Sequence, residues 1–263
     1  MVRPKKYLGQ HFLKDQHISA KIVEALDISG QAKNNVLEIG PGTGVLTKIL
    51  ITKPGINLKL IEIDTESVAY LQNNYAALSK NIIEADFLDL PLESYFNEPF
   101  SIIGNFPYNI SSQIFFKILS NVDMVEQVVC MLQKEVAQRI ASAEGNKDYG
   151  ILSVLLQARY DIKYLFSVLP GVFQPPPKVN SGVISLVRKP VYKLACNEAL
   201  FTKVVKQAFQ MRRKTLRNAL KGLNLPPAFY AMPLLDKRAE QLSVEQFIEL
   251  TKNMEEGAGT NSI

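Results

Sequence analysis

The order of apolar and polar positions predicts an alternation of strands and helices along most of the chain. Short apolar runs rich in β-forming residues lie at 36–39, 58–63, 81–83, 100–103 and 127–132. Apolar residues at helical spacing fill the segments between them, at 45–51, 65–74, 111–119 and 134–141. Because strands that alternate with helices form right-handed βαβ units, we predict a parallel sheet with helices on both faces.

The pattern changes after two later strands, which are predicted at 160–168 and 182–188 with a proline-rich loop between them. Beyond Pro190, the segments 197–221 and 243–254 have helical periodicity and no strand pattern follows. The sequence therefore predicts an α/β domain over residues 1–190 and a small all-helical domain over residues 191–263.

Length and composition exclude several classes of protein. The chain has 263 residues, of which 47% are hydrophobic, so it can bury a core and is not disordered. Its longest apolar runs, such as 151–156, are too short to span a bilayer. No secretory signal opens the chain, so we expect a cytoplasmic protein without membrane contact. Cys130 and Cys196 lack the spacing of metal ligands, and with only two histidines besides we expect no metal site.

Positive charge is concentrated in one part of the chain. Residues 162–235 hold twelve lysines and arginines but a single acid, Glu198, although the net charge of the whole chain is only +5. The first fourteen residues are also basic and contain no acid. This segregation predicts a surface for a polyanion such as nucleic acid, although solvated helix faces also produce charge runs.

A glycine-rich turn follows the first predicted strand, in the stretch VLEIGPGTGVLT. Glycines let the backbone turn tightly and approach a ligand, and the next helix presents free N–H groups. A dinucleotide fingerprint would have its third glycine at the position of Val45. The pattern Glu38-x-Gly40-x-Gly42-x-Gly44 instead resembles the cofactor loop of Rossmann-like methyltransferases that use S-adenosylmethionine, which makes the first two of these glycines candidate cofactor contacts. The alternative is a turn that requires glycine only for its geometry.

Carboxylates follow the next two predicted strands. Glu62 ends the second strand and can accept hydrogen bonds from both hydroxyls of a cofactor ribose. Asp86 follows the third strand and can accept a hydrogen bond from an adenine amino group. Because the carboxyl ends of parallel strands meet at one edge of a sheet, we predict that both bind the adenosine part of the cofactor. Helix capping is the alternative for both, and Asp64 and Asp89 are rival candidates.

The stretch GNFPYN after the fourth predicted strand contains the candidate catalytic residues. The oxygen of Asn105 and a backbone carbonyl can accept hydrogen bonds from the exocyclic amine of an adenine, which favours a tetrahedral nitrogen with an available lone pair. Pro107 stiffens the backbone, and Tyr108 can stack on the base and align it. We therefore predict methylation of an exocyclic amine. An ordinary Asn/Pro turn, with Asn109 starting the next helix, is the alternative.

Five motifs cover nearly the whole chain in the order KKYLGQHFLKD, VLEIGPGTGVLT, NFPYNISS, VFQPPPKVNSGVISL and FQMRRKTLRNAL. Together they resemble the small-subunit (16S) ribosomal RNA adenine dimethyltransferases, the KsgA family. The resemblance implies a Rossmann-like methyltransferase that uses S-adenosylmethionine to dimethylate adjacent adenines in a hairpin near the 3′ end of that RNA, within an assembling ribosomal subunit. It implies cofactor contacts from His11, Leu13, Gly40, Glu62, Asp86 and Asn105.

The resemblance also concerns the two segments that flank the sheet. It places Phe173, which precedes the prolines at 175–177, on the opposite side of the target base from Tyr108. The segment LGQHFL has no helix start signal and is expected to lie across the cofactor, with a simple basic arm as the alternative. The chain departs from the family at Phe106, where leucine is frequent, and at His11, where asparagine also occurs.

The C-terminal helices contain a candidate RNA-docking surface. An apolar stripe at helical spacing, which includes Phe201 and Val205, is assigned to the core. Basic side chains along the same segment would form an edge for phosphates if the helix is continuous or only briefly broken. The candidate RNA-binding residues are Lys203, Lys206, Arg212, Arg213, Lys214, Arg217 and Lys221. We expect the protein to be a monomer.

Three other functions agree with parts of the sequence. A large-subunit ribosomal RNA adenine methyltransferase of the macrolide-resistance type would have the same core. A non-catalytic RNA-binding assembly factor would keep the fold without catalysis, and the intact Asn105, Pro107, Tyr108 and Glu62 argue against it. An NAD-dependent oxidoreductase is disfavoured by Val45 at the third glycine position.

Overall fold

The computed structural model describes residues 2–28, 34–223 and 227–259. The strands are β1 (Phe12–Leu13), β2 (Asn34–Ile39), β3 (Ile56–Glu62), β4 (Ile82–Glu84), β5 (Phe100–Asn105), β6 (Val125–Gln133), β7 (Tyr160–Val168), β8 (Phe173–Gln174) and β9 (Ser181–Arg188). The α-helices are α1 (Gln16–Glu24), α2 (Thr47–Leu50), α3 (Thr65–Asn74), α4 (Ser111–Ser120), α5 (Lys134–Ile140), α6 (Ile151–Gln157), α7 (Glu198–Gln210), α8 (Leu216–Ala219) and α9 (Val244–Gly259). None of the helices in these ranges is long and apolar enough to cross a membrane.

The main sheet has seven strands within the described residues, in the order β4-β3-β2-β5-β6-β9-β7. The strands from β2 to β6 pair in parallel, whereas β9 pairs antiparallel with β6. The predicted α/β fold and all seven predicted strands are confirmed. The chain leaves β2 toward β3 on one side and later returns to β5 on the other, so the strand order reverses between β2 and β5. In sheets of this class, ligands bind at the carboxyl ends of the strands at such a reversal.

Burial on both faces explains why apolar residues occupy adjacent positions in the middle of β2, at Val36 and Leu37, and of β5, at Ile102 and Ile103. Val36, Leu58 and Ile103 belong to one buried cluster together with residues of α1. The two central strands approach closely at their carboxyl ends, because a Cβ on Gly104 would lie 2.5 Å from the backbone oxygen of Ile39. A larger residue at this position would push apart the two strands that carry the candidate site.

The structure divides into two compact units. The first comprises residues up to Gln138 together with Ile162–Arg188, and the second comprises Arg139–Asp161 together with the chain from Lys189 onward. The division between Arg188 and Lys189 lies close to the predicted domain boundary at 190. The different functions assigned to the two domains stay a prediction. The second unit also includes α6, which packs against α7 and α9. Because α6 lies far from those helices in sequence, its apolar run did not predict this packing.

Two helical details differ from the sequence prediction. The predicted helix over 197–221 is interrupted after Gln210, because Thr215 is extended and the N–H of Leu216 donates to the carbonyl of Lys237 instead of continuing the helix. The helix α1 was not predicted, although Asp15 caps it by accepting a hydrogen bond from the N–H of Ile18 at 3.0 Å.

Candidate active site

A pocket of about 900 Å³, open solvent included, lies in the first unit at the carboxyl ends of the central strands. Four parts of the chain line it: the N-terminal segment from Tyr7 to Phe12, the ends of β2 and β3, the segment 85–87 that follows β4, and the loop that follows β5. Of the predicted cofactor and catalytic residues, the pocket brings together His11, Gly40, Gly42, Glu62, Asp86, Asn105, Pro107 and Tyr108.

The glycine turn after β2 has a backbone that L side chains rarely adopt. Gly40 and Gly42 have φ values of 64° and 56°, both in the left-handed region. A Cβ on Gly40 would meet no atom of the described residues within 4 Å, so the backbone there borders open space. A Cβ on Gly42 would lie 2.7 Å from the ring of Phe12, so only glycine lets the N-terminal segment pack against the turn.

Glu62 is oriented by two backbone N–H groups. Its carboxylate accepts hydrogen bonds from the N–H of Gly42 at 2.9 Å and from the N–H of Asp64 at 3.0 Å. The side chain is buried, and this burial raises the pKa of Glu62 while the two backbone hydrogen bonds oppose the rise. Asp86, which also lines the pocket, accepts a hydrogen bond from the N–H of Leu88 at 2.8 Å. Both carboxyl groups are thus held in place before any ligand binds.

Asn105 has its amide orientation set by the N-terminal segment. Its Nδ2 donates a hydrogen bond of 2.8 Å to the carbonyl oxygen of His11. Because this bond uses the N–H side of the amide, Oδ1 lies on the other side and remains an acceptor for a ligand. The next residue, Phe106, is buried, packs edge-on against Phe115, and donates its N–H to the carbonyl of Met131 at 2.9 Å. These contacts hold the loop rigidly at the end of β5.

Tyr108 is fixed from two directions. Its hydroxyl lies 2.5 Å from the Oγ of Ser181, which is fully buried at the start of β9. Its ring centroid lies 5.5 Å from that of His11, with 31° between the ring planes. The His11 ring is itself anchored, because Nδ1 donates to the carbonyl of Pro175 at 2.8 Å. Burial raises the pKa of Tyr108, against the opposing hydrogen bond from Ser181, so the phenol stays neutral.

The N-terminal segment is held against the pocket by Asp64. The carboxylate of Asp64 pairs with the ammonium of Lys5 and accepts a hydrogen bond from Nε2 of Gln10 at 3.2 Å. It also accepts a bond of 2.9 Å from Ser67 and caps α3. Burial acts to raise the pKa of Asp64, but the bonds from these three donors outweigh it and hold the pKa below its usual value. Asp64 is therefore a structural anchor, whereas Glu62 faces the pocket.

Two predicted site residues do not line this pocket. Leu13 and Phe173 face each other in the short antiparallel pair of β1 and β8, and both are buried in the core cluster. Leu13 instead borders a smaller adjoining cavity together with Glu38 and Asn105. Phe173 has only 1% of its surface exposed, so stacking on a base requires its side chain to leave the core. Its stacking role stays a prediction.

Sequence reasoning missed three side chains that the structure places around the site. Ser181 and Gln10 had no local signal, because their partners lie far away in the chain. Glu38 belongs to the glycine motif and is almost fully buried. Burial raises the pKa of Glu38 to about 8, opposed by a 2.6 Å hydrogen bond from Thr47 and reinforced by the charge of Glu62. The position of Glu38, two residues before the first glycine of the motif, was the sequence feature that could have indicated its place at the site.

The candidate RNA-binding residues belong to the second unit, and most are exposed. Arg217 is an exception, because its Nε and Nη2 both bind Oδ1 of Asp236, at 3.0 and 2.8 Å, and its Nη1 donates to the carbonyl of Tyr230 at 2.6 Å. Arg212 donates to the carbonyl of Lys147. Arg212 and Arg217 therefore have hydrogen-bond partners within the protein, which is consistent with a role in stability. Their contacts with RNA stay a prediction.

Comparison with known proteins gives a consistent result. A model of the family described as ribosomal RNA adenine dimethylase matches residues 1–256. The chain is 56% identical over 255 residues to a ribosomal RNA small subunit methyltransferase A of Flavobacterium johnsoniae, with 97% of each chain covered. It is 53% identical over 250 residues to the protein of the same name from Cytophaga hutchinsonii, covering 95% of this chain and 96% of that one.

Solved structures agree with these relatives. A dimethyladenosine transferase from Plasmodium falciparum superposes with a TM-score of 0.79 at 26% identity, covering 94% of this chain and 98% of that one. The 23S rRNA methyltransferase ErmE superposes with a TM-score of 0.66 at 25% identity, covering 91% of this chain and 99% of that one. The similarity therefore extends over both units.

Proposed function

Since the chain belongs to the ribosomal RNA adenine dimethylase family, we propose that it dimethylates the exocyclic amines of two adjacent adenosines in a hairpin near the 3′ end of small-subunit ribosomal RNA. The family makes it a methyltransferase that uses S-adenosylmethionine and acts on ribosomal RNA. The choice of subunit is supported by relatives of 50–56% identity that are named as small-subunit enzymes. The structurally similar ErmE, named as a 23S enzyme, is only 25% identical.

The pocket fits S-adenosylmethionine. Gly40 borders open space at the glycine turn, and Glu62 and Asp86 lie in the same pocket, so the polar groups suit a ligand with ribose hydroxyls and an adenine amine. Glu62 would accept hydrogen bonds from the ribose, and Asp86 would accept one from the adenine amine. When bound, the cofactor supplies a methyl group on a positively charged sulfur, which is a strong electrophile.

The observation that carries the proposal is the hydrogen bond from Asn105 to the carbonyl of His11. The amine of adenine is a weak nucleophile because its lone pair is delocalised into the ring. Oδ1 of Asn105 and a backbone carbonyl of the Pro107 loop would accept both amine hydrogens and favour a tetrahedral nitrogen. Since the acceptor is held before the reaction starts, no reorganisation is required as charge develops. Neutral oxygens suffice, because the nitrogen loses its proton after attack.

Tyr108 would orient the target base. Its ring is fixed by Ser181 and by the neighbouring His11, and the phenol is neutral, so it presents an aromatic face of constant position. A base held against that face has its amine near Asn105 and the glycine turn, which line the same pocket. A base can enter only when it is unstacked, so a hairpin loop is a better substrate than a paired stem.

The second unit would position the RNA without reading its sequence. Lys203, Arg213, Lys214 and Lys221 are exposed and carry charge suited to phosphates. We place the reaction in the cytoplasm, on an assembling small subunit, with the protein acting as a monomer and without a metal ion.

The test is mass spectrometry of RNA after incubation with the purified protein and S-adenosylmethionine. Small-subunit and large-subunit RNA or particles are offered in parallel. We expect dimethylation of adjacent adenines near the 3′ end of the small-subunit RNA only. Methylation of the large-subunit RNA instead would favour the macrolide-resistance type, and binding without methylation of either would favour an assembly factor.

A further inference from the structure

Tyr7 is an exposed aromatic side chain at the edge of the active-site pocket. Its side chain is 74% exposed, yet the residue is part of the pocket lining together with Tyr108 and Asn109. Single exposed apolar residues are common on protein surfaces, so exposure alone indicates nothing. Tyr7 differs from such scattered residues in the hydrogen-bonded backbone turn that carries it and in the basic residues of the same segment.

The backbone that carries Tyr7 is a short, well-held turn. Tyr7 is the middle residue of a 3-10 turn, Lys6–Leu8, which is closed by hydrogen bonds from Leu8 N–H to the carbonyl of Lys5 at 3.1 Å and from Gly9 N–H to the carbonyl of Lys6 at 3.0 Å. Lys5 is fixed on the other side, because its N–H donates to Oε1 of Gln10 at 2.8 Å. Ordering this aromatic on binding therefore requires little loss of backbone freedom.

The same turn packs against the catalytic loop. Gly9 has a φ of 64°, and a Cβ on it would lie 2.7 Å from Oδ1 of Asn109. The turn that holds Tyr7 therefore lies directly beside the loop that holds Asn105 and Tyr108. The left-handed backbone at position 9 favours glycine.

The charge around Tyr7 suits nucleic acid. The first fourteen residues contain no acid, and Arg3 and Lys6 are exposed. Lys5 is paired with Asp64 and holds the segment in place. Lys6 adjoins Tyr7 in the chain, and an exposed aromatic ring in a basic segment beside a pocket for an unstacked base suits the binding of single-stranded nucleic acid through stacking and phosphate contacts.

We propose that the ring of Tyr7 stacks on an unpaired base next to the target adenine and holds the flanking nucleotide while Tyr108 holds the target. The proposal rests on the proposed function and adds a second base-binding position to it. It accounts for the presence of a largely exposed aromatic side chain, carried on a hydrogen-bonded turn, at the edge of the pocket. The ligand is a single-stranded RNA segment with at least one unstacked base beside the modified one.

Tyr7→Ala, Tyr7→Leu and Tyr7→Phe separate stacking from other roles. Loss of a stacked base weakens RNA binding by about 5- to 150-fold, so we expect KM for the RNA to rise by that factor in the alanine variant while kcat changes little. The phenylalanine variant should restore the wild-type KM, whereas leucine, which is apolar but has no π-face, should not. Leu169→Ala removes a 67% exposed apolar side chain that does not line the pocket and serves as the control.

A fluorescence experiment tests the contact without catalysis. The chain has no tryptophan, so Tyr7→Trp introduces a single reporter. We expect its emission to be quenched by the target RNA hairpin in the absence of cofactor. An unchanged KM in Tyr7→Ala, equal KM values for leucine and phenylalanine, or unquenched emission with bound RNA would each overturn the inference.

The two proposals fail in distinguishable ways. If the wild-type protein methylates no small-subunit RNA, the proposed function fails, and quenching of the Tyr7→Trp reporter by RNA still decides the stacking contact. If the wild-type protein methylates that RNA and Tyr7→Ala does so with the wild-type KM, the function stands and the stacking inference fails.

Discussion

Ser181→Ala tests whether Tyr108, in the loop that follows β5, is held through its hydroxyl. Oγ of Ser181 is buried and lies 2.5 Å from the Tyr108 hydroxyl, so alanine removes the partner of a half-buried phenol. Leaving such a group unpaired costs about 1–3 kcal/mol. If this free-energy cost is expressed as a loss of the productive orientation of the Tyr108 ring, kcat/KM for the RNA falls by about 5- to 150-fold. The Kd of the cofactor should not change, because Ser181 does not line the pocket.

A double-mutant cycle with Tyr108→Phe isolates the contact. The phenylalanine variant keeps the ring but removes the same hydrogen bond, so Ser181→Ala should have little further effect in that background, with a coupling energy of about 1–3 kcal/mol. Methyl transfer to RNA gives the rates, and Ser185→Ala, which alters another buried serine of β9, is the matched control. Additive losses in the double variant would refute the idea that Ser181 acts through Tyr108.

Two further predictions concern stability and RNA binding. Burial raises the pKa of Glu38 from 4.5 to about 8, so between these pH values the native state keeps a proton that the unfolded chain releases. The free energy of unfolding should therefore fall as the pH rises through this range, by at most ~1.4 kcal/mol per pH unit, and Glu38→Gln should flatten this slope in denaturant titrations. An identical slope in both proteins would contradict the assignment. Reversing the exposed Arg213 and Lys214 to glutamate should weaken RNA binding and make its salt dependence shallower without changing the Tm, whereas Arg217→Ala should lower the Tm because it loses its partners. Unchanged binding across a salt titration in the double charge reversal would remove this surface from the account.

The sheet could be predicted because its signals are local. The strands from β2 to β6 contain short apolar runs, and the parallel topology brings the residues at and just after their carboxyl ends to one edge of the sheet. That reasoning located Glu62, Asp86 and Asn105 correctly in one pocket. The proline after Phe106 also indicated a stiff loop, and the structure shows Phe106 buried beneath it.

The remaining features depend on partners distant in sequence. Nothing near Phe173 indicates that it pairs with Leu13 and lies in the core, because the two residues are brought together only by the folded chain. The break after Gln210 is decided by the bond from Leu216 to the carbonyl of Lys237, although helical periodicity continues through it. The partners of Arg217 likewise come from a segment whose contacts cannot be inferred from charge alone.

The most direct test of the central claim is the single-turnover rate of methyl transfer by Asn105→Ala with RNA and cofactor both saturating. The amide supplies a fixed neutral acceptor, and loss of one such preorganised group costs about 100- to 1000-fold in rate. We expect a decrease of that size in a protein whose Tm and circular dichroism match the wild type. A rate close to that of the wild-type protein would contradict the mechanism, because the amine would then be activated without the oxygen of residue 105.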